Sequence, residues 1–158
     1  MKWLKQIFIT LSALLLLSYI GAAQLKTYSF EQADALQKKQ KRNIAVFIYT
    51  DWCQYCQVMK RATFSNDQVV RKLNEQFYFV ALNGEEKRDI RFNSNLFKYK
   101  PNGTNTGAHE LAEVLGTIDG KLAYPGLIIL NSRYEIIFQY SGFLNARALR
   151  TILDNTPR

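Results

Sequence analysis

Two spacings of hydrophobic residues alternate along the chain from residue 24 onward. "IAVFIY" (44–49) and "FYFVAL" (77–82) are unbroken apolar, β-branched or aromatic runs, the pattern of strands buried on both faces. Between and around them the apolar positions recur at helical spacing. "SFEQADALQKKQ" (29–40) reads as a helix with Ser29 as its cap and Gln32 three residues on, a capping-box pattern. "CQYCQVMKRATF" (53–64) reads as a helix with Val58, Met59 and Ala62 on its apolar side. "SNDQVVRKLNEQ" (65–76) opens on cap residues and continues as another helix. Residues 83–107 are polar and turn-rich, and "AHELAEVLG" (108–116) is a short helix closing at Gly116. "GLIIL" (126–130) and "EIIFQYSG" (135–142) flank a turn and predict an antiparallel hairpin. "NARALRTILDN" (145–155) predicts a last amphipathic helix with Ala148, Leu149, Ile152 and Leu153 facing inward. The order predicts an α/β fold, a mixed central β-sheet flanked by helices.

The first 23 residues differ in kind. Two lysines in "MKWLKQ" precede the apolar "IFITLSALLLLSYI", and "GAAQ" then supplies small residues. This is the order of a secretory signal peptide, cleaved after Ala23, which leaves residues 24–158 as one domain in a periplasmic or secreted location. The alternative is an uncleaved N-terminal anchor, because the apolar run approaches the roughly 18 residues that span a bilayer. No cysteine lies near the cleavage site to carry a lipid. Membrane contact is expected only through this segment. Either way the domain meets an oxidising compartment, where disulfides persist.

The net charge of +8 becomes +6 once Lys2 and Lys5 leave with the signal. Much of it lies in "KKQKR" (38–42), read as cations closing a helix at the negative end of its dipole rather than as a nucleic-acid patch. No nucleic-acid partner is expected.

Both cysteines of the chain lie in "DWCQYC" (51–56). Cys53 falls at the junction of a strand and a helix, where unpaired N–H groups and the dipole favour a thiolate. Cys56 follows on the same helical face and can close a ring with Cys53. The spacing gives an exposed attacking thiol and a more buried resolving thiol. Other readings exist. A staple across three residues removes little unfolded-state entropy. A closed zinc site needs four ligands, and the chain adds one histidine, His109. Copper handling by Cys53, Cys56 and His109 needs fewer ligands.

The stretch "YTDWCQYCQVMKRATFSNDQVVRKL" resembles the thioredoxin superfamily, more closely the C-terminal periplasmic thioredoxin domain of the membrane thiol:disulfide interchange protein and its small exported relatives. The tryptophan before the first cysteine, the C-x-x-C, the "TFS", and the later "YPGLIIL" and "SGFLNARALRTIL" carry the resemblance. It implies a thioredoxin fold with an enlarged segment, residues 84–118, before a cis-proline. It implies Cys53 as nucleophile, Cys56 as resolving thiol, and Trp52, Gln54 and Tyr55 as flanking residues. It also implies a cis Tyr124–Pro125 bond that leaves the Tyr124 backbone free for an extended substrate. The redox-active disulfide serves without any other cofactor or metal. Partners are substrate proteins with disulfides and a membrane electron donor.

Two positions depart from that family. Phe47 stands where many thioredoxins have a buried aspartate, and Ala81 where a partnering lysine is common, which leaves proton transfer to water or to a peripheral group, with Asp51 and Glu85 as the candidates. The uncharged Gln54–Tyr55 pair favours a reducing direction. The enlarged segment either shapes a substrate groove or packs Phe92, Phe97 and Tyr99 onto the domain edge. His109 is read as a surface or capping residue. The functional expectation is an exported thiol:disulfide oxidoreductase. A copper-handling chaperone and a redox-inert binding module are the alternatives.

Overall fold

The continuous apolar runs become the centre of the molecule. A computed structural model describes Trp3 and residues 24–157, so the signal reading of residues 1–23 lies, Trp3 apart, outside the described residues. Strand β2 (Asn43–Tyr49) pairs in parallel with β3 (Phe77–Asn83), and β3 pairs in parallel with the short β1 (Thr27–Tyr28). On its other edge β2 pairs antiparallel with β10 (Gly126–Leu130), which forms the expected hairpin with β11 (Ile136–Ser141). The five-stranded order is β1-β3-β2-β10-β11, a mixed sheet with β2 in the middle.

Alternation along β2 divides the core between the two faces. Ile44, Val46 and Ile48 pack with Phe30 and Ala33 of helix α1 (Phe30–Gln37). Ala45 and Phe47 pack on the other face with both cysteines, Met59, Phe64 and Leu149. Each large side chain buried this way contributes about 1.5–3 kcal/mol. Helices α3 (Asp67–Gln76) and α5 (Ala146–Asn155) close that second face through Val69, Leu73, Leu149 and Leu153. Among the described residues no helix is long and apolar enough to cross a membrane.

Local chemistry sets the helix ends. Ser29 accepts the Gln32 N–H at 3.1 Å while the Gln32 side chain accepts the Ser29 N–H at 2.9 Å, the capping box read from the sequence. Asn66 and Asn145 cap α3 and α5. Helix α1 ends at Gln37 with no basic residue in its last turn, so "KKQKR" does not close it. The Gln37 side chain accounts for the stop: it accepts the Arg42 N–H at 3.0 Å and donates to the Arg42 carbonyl at 2.5 Å, which folds residues 38–42 back.

Residues 53–64 form no single α-helix. Helix α2 (Gln54–Val58) widens into a π-helical turn over Met59–Thr63, where Phe64 N–H donates to the Met59 carbonyl at 2.9 Å. Its buried positions are Cys56, Met59 and Thr63, whereas Val58 and Ala62 face solvent. The Thr63 hydroxyl donates to the Leu144 carbonyl at 2.7 Å, a bond that fixes which side turns inward.

Residues 83–107 carry more order than their polarity predicts. Two hairpins form there, β4 (Ile90–Phe92) with β5 (Asn95–Phe97) and β6 (Tyr99–Pro101) with β7 (Gly107–His109). Helix α4 (Glu110–Gly116) follows, then the hairpin of β8 (Thr117–Ile118) and β9 (Lys121–Leu122). Phe92 is buried edge-on against Phe30 and Tyr134, and Phe97 packs on the same core.

His109 caps α4 but is not a surface residue, since it is wholly buried. Its Nδ1 accepts the Leu111 N–H at 3.2 Å, and Nε2 lies 3.2 Å from the Arg88 carbonyl, which fixes the Nε2–H tautomer. Its backbone N–H donates to the Gly84 carbonyl at 2.8 Å. One ring therefore joins the helix to the loop after β3. His109→Ala should lose about 1–3 kcal/mol of stability in urea unfolding, with His109→Asn losing less because it keeps a capping oxygen. Unchanged stability of His109→Ala would contradict this reading.

Candidate functional site

Strand β2 delivers its last residue, Tyr49, to the edge of the sheet, and the chain turns through Asp51 and Trp52 into α2. Cys53 is the N-cap of that helix, with extended φ −76° and ψ 105°, and its Sγ accepts the Cys56 N–H at 3.1 Å. The sulfur thus occupies the place of a capping oxygen, where helix N–H groups and the dipole favour negative charge. Cys53 and Cys56 are joined as a disulfide, with Cα atoms 5.2 Å apart.

Aromatic side chains frame the pair. Trp52 and Tyr55 are each 66% exposed. The Trp52 ring meets Tyr124 edge-on at 5.8 Å, and Tyr55 lies 6.2 Å from Phe143. Gln54 points to solvent beside them. The Tyr124–Pro125 bond is cis, the conformation the resemblance implies. Gly126 pairs with Ile48, so Pro125 and Tyr124 lie across from the end of β2 and outside the ladder. Burial, with Glu85 and Glu113 nearby, pushes the Tyr124 phenol up to about 12 and keeps it neutral.

Cys53 is less open than the spacing predicts. It is 6% exposed and packs in the core cluster with Cys56, which is fully buried. The order of access between the two sulfurs remains as expected. The difference arises because the Cys53 sulfur turns toward the helix end and is bonded to a buried partner.

Phe47 and Ala81 are direct neighbours across β2 and β3. Phe47 is buried between Tyr49 and Phe64, at ring distances of 5.6 and 4.7 Å. Glu85 accepts the Trp52 Nε1–H at 3.1 Å, and Asp51 accepts the Asn83 side-chain N–H at 3.2 Å. The Asn83 side-chain oxygen in turn accepts the Glu85 N–H at 2.9 Å.

The copper arrangement with Cys53, Cys56 and His109 does not form, since both His109 nitrogens are engaged with Leu111 and Arg88. Among the described residues no group of three or more histidine, cysteine, aspartate or glutamate side chains could hold a metal ion.

A family model described as thioredoxin-like matches residues 25–106, more than half of the chain. The chain belongs to the thioredoxin-like family. In sequence it is 32% identical over 59 residues to spermatogenesis-associated protein 20 of Mus musculus, a match covering 36% of this chain and 8% of that protein. In structure it is similar to the oxidoreductase DsbH (TM-score 0.58, 16% identity, 87% of this chain and 90% of the other). It is also similar to a thioredoxin from Thermus thermophilus (TM-score 0.58, 21% identity, 83% and 85%). A third likeness is to the C-terminal domain of DsbD from Neisseria meningitidis (TM-score 0.51, 18% identity, 77% and 88%). These structural likenesses establish a thioredoxin fold. The family and the Cys53–Cys56 disulfide together support thiol–disulfide chemistry for this thioredoxin-like chain.

Sequence reasoning passed over Tyr49, Lys60, Asn83, Gly84 and Phe143, all of which border or brace the site. The Lys60 ammonium lies 3.2 Å above the Tyr49 ring centroid. Helical spacing from Cys56 could have pointed to Lys60, whereas Gly84 reads in the sequence only as part of a turn. A methyl group on Gly84 would overlap the Tyr124 ring. Gly84→Ala should therefore displace Tyr124, costing about 1–3 kcal/mol and altering Trp52 fluorescence. Wild-type stability and emission would show that the ring yields freely.

Proposed function

We propose that this chain is an exported thiol:disulfide oxidoreductase that reduces disulfides in substrate proteins. The observation that carries the reading is a C-x-x-C disulfide at a helix N-terminus beside a cis-proline turn. In the reduced protein the Cys53 thiolate attacks one sulfur of a substrate disulfide. A Cys53–substrate bond forms, and the other substrate sulfur leaves as a thiolate that takes a proton from water. Cys56, as thiolate, then attacks the Cys53 sulfur, the Cys53–Cys56 bond closes, and the second substrate sulfur leaves. Two electrons have passed from the dithiol to the substrate.

The direction is argued from the residues between the cysteines. Gln54 and Tyr55 carry no charge that would specially stabilise the reduced form and make the pair a strong oxidant. A membrane electron donor returns the two electrons. Export rests on the charged, apolar and small-residue order of residues 1–23, with residues 24–158 as the mature domain and an uncleaved anchor as the other form of the same placement. Trp52, Tyr55 and Phe143 offer exposed apolar surface for an unfolded or extended substrate. Pairing of such a segment with the Tyr124 backbone is supported by the position of Tyr124 outside the ladder.

The reduced protein should reduce insulin in a dithiothreitol-coupled turbidity assay. Cys53→Ser should lower the rate at least about 100-fold, and Cys56→Ser should accumulate mixed disulfides with exported proteins. Wild-type protein that fails to reduce insulin, or a Cys53→Ser variant that retains the rate, would overturn this function.

A further inference from the structure

The resolving step asks Cys56 to act as a thiolate, yet Cys56 is fully buried among apolar neighbours. Such a thiol resists ionisation unless a nearby charge offsets its lost hydration. Lys60 follows Cys56 by four residues, in the π-helical turn that continues α2. It also shares the face of the sheet on which Cys56 packs. Its ammonium lies over Tyr49, and Tyr49 stacks on Phe47 in the core cluster that holds both cysteines. Lys60, half-buried, further lines a groove with Phe47, Phe64 and Ala81.

We propose that Lys60 is a positioning residue whose ammonium stabilises the Cys56 thiolate of the reduced pair. This inference rests on the oxidoreductase function above and adds the charge that makes its second step possible. Burial lowers the pKa of Lys60 and Asp51 raises it, the mark of a cation partly stripped of water.

The other ionisable groups on this side define the balance. Asp51, in the turn after β2, opposes Lys60 directly. Tyr49 stays neutral, since burial and then Asp51 and Glu86 raise its pKa. Glu86 and Glu85 approach from the loop after β3, where Glu85 is bonded to Trp52. Asp67, at the start of α3, borders the same groove. Lys60 is the cation among them. In the step itself Cys56 Sγ bonds to Cys53 Sγ, the Cys53–substrate bond breaks, and the substrate sulfur carries away the negative charge. The ammonium is thus needed before the transfer and not after it.

The test titrates Cys56 in a Cys53→Ser background by thiolate absorbance near 240 nm. Lys60→Met keeps an unbranched stem over Tyr49 and should lower the thiolate fraction at neutral pH about tenfold. Lys60→Arg should keep the wild-type midpoint, and Asp51→Asn should move it toward more thiolate. Thermal melts of each variant check that the fold is intact. An unchanged midpoint in Lys60→Met would overturn the proposal, as would a Lys60→Arg variant that behaves like Lys60→Met. Insulin reduction by the wild-type protein is measured separately. Its failure would remove the oxidoreductase function, while the titration would still decide whether Lys60 controls Cys56.

Discussion

The bond from the Cys56 N–H to the Cys53 sulfur, at the first turn of α2, is the interaction on which the rest of the site depends. It exists because β2 is held on both edges by β3 and β10 and buried on both faces, so the point where the chain leaves the sheet is fixed. A strand so constrained can present one residue reproducibly at a helix start. That residue is a cysteine, and the unpaired amides that usually meet an oxygen meet sulfur instead. The π-helical turn after Val58 then carries Met59 and Thr63 inward, with Thr63 anchored to Leu144.

Around this sulfur the structure combines a closed floor with an apolar rim. Cys56 lies in the core, Cys53 is almost wholly buried, and Trp52, Tyr55 and Phe143 stand exposed beside it. The loop after β3 braces the rim: Glu85 holds the Trp52 indole, and Gly84 leaves room for the Tyr124 ring. His109 holds that loop from behind through the Gly84 and Arg88 carbonyls. Residues 84–109 are therefore part of the frame of the site. Charge is sparse inside this frame, as Phe47 and Ala81 meet across two strands with no ionisable group between them.

Much of the fold was legible because two-sided burial writes itself as unbroken apolar runs, and capping writes itself as Ser29, and as Ser65 and Asn66, ahead of helical spacing. The cysteine pair was legible from its three-residue spacing. The short strands between Ile90 and His109 were not, since three residues carry no measurable period. The π turn escaped because Val58 and Ala62 fit an α-helical stripe that the Thr63 bond overrides. The burial of His109 and of Cys53 was illegible for another reason. Both depend on groups far away in the chain or on the partner sulfur, and hydropathy along a sequence does not record such meetings.

The most direct measurement of the central claim is the pH dependence of Cys53 alkylation in the reduced wild-type protein, followed by mass spectrometry. A sulfur stabilised as an N-cap reacts faster than Cys56, with a midpoint below the roughly 8.5 of a free thiol. A midpoint at or above that value, or preferential labelling of Cys56, would contradict the account.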